Sequence, residues 1–425
     1  VRTPLQAPSP AGMFSWAMYD WANSAVATVI QTFVFAAYFT RQVAVDETTG
    51  SAQWGNMVGL VGLLVALGGP ILGAIADRSG SRKPWLAVFT LGCVGSTALL
   101  WFVRPDPAWV LPALLLAAAS QLTFEYATIF YNAMLPGLTS PERLGRWSGW
   151  AWGLGYAGGL ACLLAALLLF VEGNAASWMG LDRRSAEPVR ATFLLAAAWY
   201  LVFAAPLFAF TPDAPASGKG LADSIREGIR QIQDSFKNVR PHAHIIRFLV
   251  ARMIYSDGLA TVFAFGGVYA AGTFDMTEGQ VILFGIWLNV TAGAGAAVFA
   301  WVDDLIGSKR TILLALAGLV ITSTGLLVVT SSTLFWAFGL ALGVFVGPVQ
   351  AASRSYLARV APPELHTQMF GLFAFSGKAT SFAGPLLVGW ITYCTGSQRI
   401  GMGTVIFFFV LGAALMLTVP SARRG

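Results

Sequence analysis

Met18-Tyr19-Asp20-Trp21-Ala22-Asn23-Ser24 stands inside an apolar run that covers residues 14–39. A run of that length crosses the hydrocarbon core of a bilayer as a helix, and an ionised carboxylate within it costs at least about 2.5–3.5 kcal/mol. Asp20 is therefore expected to face protein or a water-filled cavity and not lipid. At helical spacing Asp20, Asn23, Ser24, Thr28 and Gln31 share one face, which draws a polar stripe down a hydrophobic helix. Such a stripe calls for polar partners on other helices.

The rest of the chain is composed to supply those helices. Of its 425 residues, 56% are hydrophobic and 11% charged, whereas soluble domains carry about 25% charge. The first apolar run is roughly twice a signal-peptide core, so it reads as a retained helix. Further runs bounded by charge, Pro or Gly cover residues 54–76, 85–103, 109–135, 147–171 and 191–210, then 245–271, 280–302, 311–330, 333–360, 368–393 and 400–419. The expected fold class is an all-α polytopic membrane protein with twelve transmembrane helices in two six-helix halves, 1–210 and 245–425. The connection 211–244 carries Leu221, Ile225, Ile229, Ile232 and Phe236 at steps of three and four, the pattern of a surface-lying amphipathic helix.

Charge supports the same organisation. The net charge of +6 is scattered through short loops, which reads as a topology signal and excludes a nucleic-acid partner. With the N-terminus inside, eighteen Lys and Arg fall on the inner loops and six on the outer ones, so both termini are expected in the cytoplasm and the protein in the cell (inner) membrane. The three cysteines form no disulfide or metal pattern, and no cofactor is expected. With no His in a spanning run and no Gly-x-Ser-x-Gly motif, the reading is not that of an enzyme.

The halves repeat. Gly73-Ala74-Ile75-Ala76-Asp77-Arg78-Ser79-Gly80-Ser81-Arg82-Lys83 is echoed by Ala300-Trp301-Val302-Asp303-Asp304-Leu305-Ile306-Gly307-Ser308-Lys309-Arg310, with Asp304 lying 227 residues after Asp77. Pro141, Glu142, Gly149 and Gly155 are echoed 222 residues later by Pro363, Glu364, Gly371 and Gly377. Same-sense six-helix halves are one layout of secondary transporters.

The Gly73–Lys83 loop resembles the signature loop of the major facilitator superfamily, and the copy at Asp304 is weaker because Ala300 replaces the glycine. The resemblance implies the major facilitator fold and a latch that shuts the cytoplasmic side, hence gating roles for Gly73, Asp77, Arg78, Gly80, Arg82, Lys83 and Asp304. A basic topology anchor explains Arg82 and Lys83 equally well. Four further stretches carry a closer resemblance: Met18–Ser24; Glu125-Tyr126-Ala127 through Phe130-Tyr131-Asn132-Ala133-Met134-Leu135-Pro136; Gly347-Pro348-Val349-Gln350 through Ser353-Arg354-Ser355; and Phe370-Gly371 through Ser376-Gly377-Lys378. Together they resemble the branch of fungal autophagy-related vacuolar amino-acid effluxers and their bacterial relatives, which implies solute efflux.

Intramembrane charge marks the candidate site. Asp20, Glu125, Arg252, Asp257 and Lys378 lie within spanning runs, where an ionisable residue is a functional-site hypothesis by default. The resemblance implies that helices 1, 4, 7 and 10 line the cavity, with 11 at the interface between halves. Glu125 shares a stripe with Gln121, Thr128 and Asn132. The candidate substrate or proton pathway is thus Asp20, Asn23, Gln31, Glu125, Tyr131, Asn132, Arg252, Asp257 and Lys378. Arg252 alternatively snorkels to the surface, and Lys378 is expected to pair with Asp20, Glu125 or Asp257. Trp16, Trp150, Trp152, Tyr131 and Tyr156 read either as substrate walls or as packing, and the run Gly149, Gly153, Gly155, Gly158, Gly159 as close helix packing. A monomeric secondary transporter of a small polar or zwitterionic solute, with an amino acid leading, is expected; Asp20 or Glu125 is the candidate carrier of a coupling proton. The alternatives are a transporter-like receptor or scaffold, and an exporter of unrelated small molecules.

Overall fold

The computed structural model describes residues 9–171, 178–215, 223, 226, 227 and 242–421. Among these residues it is helical throughout, with no strand. Eleven continuous helices are long and apolar enough to cross a membrane: α1 Pro10–Val43, α2 Glu47–Ser79, α3 Lys83–Phe102, α4 Pro107–Leu138, α5 Pro141–Val171, α6 Glu187–Phe210, α7 Ala243–Phe274, α8 Gly279–Ile306, α9 Ser308–Val328, α10 Ser332–Val360 and, last, α13 Gln398–Thr418. Several exceed the apolar runs that announced them, because backbone hydrogen bonding continues into polar flanks where hydropathy has already fallen. The amphipathic pattern at Leu221–Phe236 lies outside the described residues, apart from isolated positions.

The run at 368–393 departs from the expected single helix. It forms two pieces, α11 His366–Lys378 and α12 Ala383–Thr395, each of 13 residues and joined by a turn at 379–382. At 1.5 Å per residue each piece rises about 20 Å, too little to cross the hydrocarbon core alone. The local cause is Gly384-Pro385: the proline has no N–H, and its ring clashes with the carbonyl four residues before it, so it suits the first turn of a new helix. Tight bonds take over, with Ala383 N donating to Thr380 O at 2.7 Å.

The helices gather into two compact units. The first comprises Val1–Val65, Gly80–Met134 and Leu154–Ser217; the second comprises Ala66–Ser79, Leu135–Gly153 and Gly218–Gly425. The divisions fall at or near residues that weaken helical continuity: Pro70, Gly80, Pro136 and Gly153. Gly80 itself has φ +86°, a left-handed conformation that a side chain would oppose.

In the first unit α1 packs on α6 and on the glycine face of α5. A Cβ on Gly158 would lie 2.7 Å from Trp21 Cα, and one on Gly155 would lie 2.9 Å from Ser24 Oγ and 3.4 Å from Asp20 Cβ. Small residues let these backbones approach, which is how helices associate where lipid removes the hydrophobic drive. In the second unit α7 packs on α13, with Gly258 against Phe408 and Phe409 and Gly412 against Tyr255. There α8 meets α10 through Gly295, Gly343 and Gly347.

Candidate functional site

The motif around Asp20 divides its side chains by helical phase. Tyr19 turns into the interior of the first unit, where its hydroxyl bonds Thr90 Oγ1 and Tyr200 Oη, both at 2.6 Å, and ties α1 to α3 and α6. Trp21 stacks on Trp199 of α6 at 5.7 Å between ring centroids. Asn23 is buried and accepts from Ser24 Oγ at 3.4 Å. Gln31 stands in a widened π-turn segment, Ala27–Phe33, a local irregularity frequent at functional sites. Its Nε2 is buried without a hydrogen-bond partner among the described residues.

α4 is fixed beside α1 by aromatic stacking. Tyr131 lies between Trp16, at 4.6 Å, and Tyr19, at 4.8 Å, and Trp16 Nε1 donates to the Tyr131 carbonyl at 3.2 Å. Trp16, Tyr19 and Tyr131 are fully buried, so this cluster is packing, whichever of the two readings holds for the other aromatics. The stack sets the polar stripe of α1 (Asp20, Asn23) next to the helix that carries Glu125 and the buried Asn132.

The remaining candidate residues belong to the second unit. Arg252 does not snorkel: its Nη1 donates to Phe373 O at 2.6 Å and Ser376 Oγ at 2.7 Å, and the guanidinium lies over the Phe373 ring at 3.4 Å. It thereby serves the carbonyl end of α11, where a cation is favoured. Asp257 is 3% exposed in the middle of α7, and Lys378 ends α11 at the break.

The signature loop shows its chemistry most fully. Asp77 accepts from Thr367 N at 3.0 Å through one oxygen and from Gln368 N at 2.9 Å through the other. These are donors of the first turn of α11 that have no partner within the helix, so the carboxylate satisfies them and meets the positive end of the dipole. The approach requires glycine twice. A Cβ on Gly73 would lie 2.8 Å from Gln368 Cα, and one on Gly371 would lie 2.7 Å from Pro70 N.

The repeated loop makes the equivalent contact 227 residues later. Asp304 accepts from Arg146 N at 3.1 Å, in the first turn of the helical stretch that begins at Leu144 in α5, and a Cβ on Gly145 would lie 2.7 Å from its Oδ1. Arg359 of α10 bridges both acids, with Nη1 to Asp303 at 2.5 Å and Nη2 to Asp304 at 3.1 Å, and its Nε donates to Pro141 O at 3.1 Å. Asp303 also accepts from Ser308 at 2.8 Å and from Ser355. Beside it, Arg354 is 2% exposed and donates to Ser148 Oγ at 2.9 Å and Ser148 O at 2.6 Å. The second unit therefore contains two matched latches, each an aspartate seated on a helix N-terminus.

The basic end of the loop belongs to the first unit. Asp213 accepts from Arg82 N at 3.0 Å, Lys83 N at 2.9 Å and Ser81 Oγ, and so caps α3. Lys83 Nζ donates to Phe208 O at 3.0 Å in the last turn of α6. Arg78 ends α2. Asp213, Asp303, Arg146, Arg354 and Arg359 were not among the gating residues that sequence reasoning selects. The signal for two of them was present, since the 222-residue echo maps the Thr367 and Gln368 region onto Gly145 and Arg146.

Comparison with known proteins agrees with this architecture. The family model described as vacuole effluxer Atg22 like matches residues 9–146 and 140–425. An uncharacterized MFS-type transporter of Bacillus subtilis (strain 168), YxiO, is 26% identical over 96% of this chain and 94% of its own length. Autophagy-related protein 22-2 of Aspergillus fumigatus is 29% identical over 63% of this chain, and that match spans 47% of the fungal protein. Among solved structures, the proton:xylose symporter XylE aligns with TM-score 0.76 at 13% identity, covering 97% of this chain and 96% of that one. The human organic anion transporter MFSD10 aligns with TM-score 0.72 at 17% identity, covering 97% and 100%.

Proposed function

The chain belongs to the Atg22-like vacuole effluxer family of major facilitator transporters, and on that premise we propose that it moves a small zwitterionic solute, an amino acid or similar metabolite, by alternating access. The observation that carries this reading is the presence of both charge signs within spanning helices: Asp20 and Glu125 on α1 and α4, Arg252, Asp257 and Lys378 on α7 and at the end of α11. Buried charge of either sign is expensive in a membrane and is retained where a pathway needs it. A solute bearing an ammonium and a carboxylate matches that pairing of signs.

In this reading Asn23, Gln31, Tyr131 and Asn132 orient the solute or support the residues that do, and Asp20 or Glu125 carries a coupling proton. Residues 1–210 and 245–425 act as the two rocking halves, joined through 211–244. Gly73, Asp77, Arg78, Gly80, Arg82, Lys83 and Asp304 gate the cytoplasmic side, with both termini on that side of the cell membrane and the protein working as a monomer. The engaged state of Asp77 on Thr367 and Gln368 supports the gating role, because the contact is made of a few charge-assisted bonds that can open and re-form.

The test is a thermal-shift screen of amino acids, short peptides, nucleosides and sugars on the purified protein, followed by uptake into vesicles. Ligands that bind the folded state raise the melting temperature. A response to zwitterions that Asp20→Asn or Lys378→Ala removes supports the proposal. A response confined to sugars or nucleosides would refute the solute class.

A further inference from the structure

The break between α11 and α12 gathers oxygen donors beside a buried carboxylate. Gly384, in the first turn of α12, lies so close to α7 that a Cβ would come within 2.9 Å of the Asp257 carbonyl oxygen. Asp257 stands near the midpoint of α7 and is 3% exposed. The side chain that faces its carboxylate is Thr380, within the turn. Thr380 Oγ1 is itself buried and has no hydrogen-bond partner among the described residues.

A helix that stops inside a membrane also frees the carbonyls of its last turn, which form the negative end of its dipole. At the end of α11, Phe373 O is occupied by Arg252 and Lys378 O accepts from Ser381 N at 3.4 Å and Ser381 Oγ at 3.1 Å. The charged and titratable groups on the surrounding elements have their own placements. Arg252 serves the preceding turn of α11, and Tyr255 bonds Ser353 at 2.7 Å. His366 bonds Ala361 O at the opposite end of α11, and Arg399 bonds Leu327 O at the start of α13. Lys378 lies two residues before Thr380 in the chain.

A carboxylate, a hydroxyl without a partner and the carbonyl end of a broken helix together make the donor set that suits a hard monovalent cation. We propose that Asp257, Thr380 and the end of α11 form a site for the coupling cation, Na⁺ or a proton, separate from the polar stripe of α1. The proposal rests on the transporter reading above for its coupling role, but its cation binding is measurable without any solute.

The experiment follows the melting temperature of the purified full-length chain as NaCl replaces choline chloride at constant ionic strength, and then across neutral to mildly acidic pH. A saturable rise with Na⁺ that is absent in Asp257→Asn identifies Na⁺. A pH-dependent melting temperature, insensitive to Na⁺ and flattened in Asp257→Asn, identifies the proton. Thr380→Val keeps the side-chain shape and is expected to weaken apparent Na⁺ affinity roughly tenfold, or to displace the pH midpoint, and it decides the matter if Asp257→Asn does not fold. The proposal is overturned if the folded variants follow the wild type in both titrations, or if the wild type responds to neither. Solute-induced shifts measured in parallel separate the two readings. A solute response without any cation response removes this site alone, and a cation response without any solute response leaves the site and removes the solute proposal.

Discussion

Asp77→Asn isolates the contribution of one latch. The wild-type carboxylate accepts one backbone N–H on each oxygen, at 3.0 and 2.9 Å. Asparagine keeps a single acceptor and turns an amine toward the second N–H, so one charge-assisted bond and the charge itself are lost. Such a bond contributes about 1.5–3 kcal/mol, and a charge at a helix N-terminus about 0.3–1 kcal/mol. Because Asp77 is only half-buried the low end applies, and the total is about 2 kcal/mol, or a ~30-fold shift of the latched-to-unlatched ratio. Ala352→Cys provides the readout, since Ala352 is 2% exposed and lies among Gly149, Ala300 and Asp303 beside the latch. Of the native cysteines only Cys394 is exposed, so Cys394→Ser gives a quiet background. The maleimide labelling rate at position 352 should rise ~30-fold in Asp77→Asn, with turnover impaired and solute affinity retained. An unchanged labelling rate, or a folded variant that no longer binds solute, would refute the assignment of Asp77 to the gate.

Arg359→Ala should lower stability by about 3–5 kcal/mol, because it strands Asp303 and Asp304 in a buried site; denaturation in detergent measures this, and a loss below ~1 kcal/mol would mean the acids find other partners. Gly158→Ala should destabilise by about 1–3 kcal/mol through collision with the Trp21 backbone, while Gly59→Ala, which meets open space, should be neutral or slightly stabilising; equal melting temperatures would contradict the packing of α5 on α1. With both termini cytoplasmic, a cysteine at the exposed Trp178 should react with an impermeant reagent added to intact cells, and one at the exposed Glu142 should not; the reverse pattern inverts the topology. Lys378→Ala should abolish vesicle transport while the protein remains folded, and wild-type uptake in that variant removes the residue from the mechanism.

Much of the architecture was legible along the chain. Hydropathy and charge are sums over neighbouring residues, so eleven spans, the glycine packing faces and the family's signature loop could be read without tertiary information. The 222- and 227-residue echoes even carried the outline of a matched pair of latches. What they could not convey was which helix end each aspartate reaches. That depends on how far one helix slides past another, and the slide is set by close approaches such as Gly73 on Gln368 and Gly145 on Asp304. The same limit hid Asp303, Arg354 and Arg359, which looked like loop and topology charges until α10 brought them to α5 and α8. Tyr19 and Asp20 are adjacent in one motif, yet helical phase sends Tyr19 to Thr90 and Tyr200 in the core and sets Asp20 against α5. The break after Lys378 was written as Gly384-Pro385, but a proline in an apolar run is compatible with a kink or with a fresh first turn. Only the packing of Gly384 onto α7 decided for the second, because a continuous helix could not have brought its backbone to Asp257 at that distance.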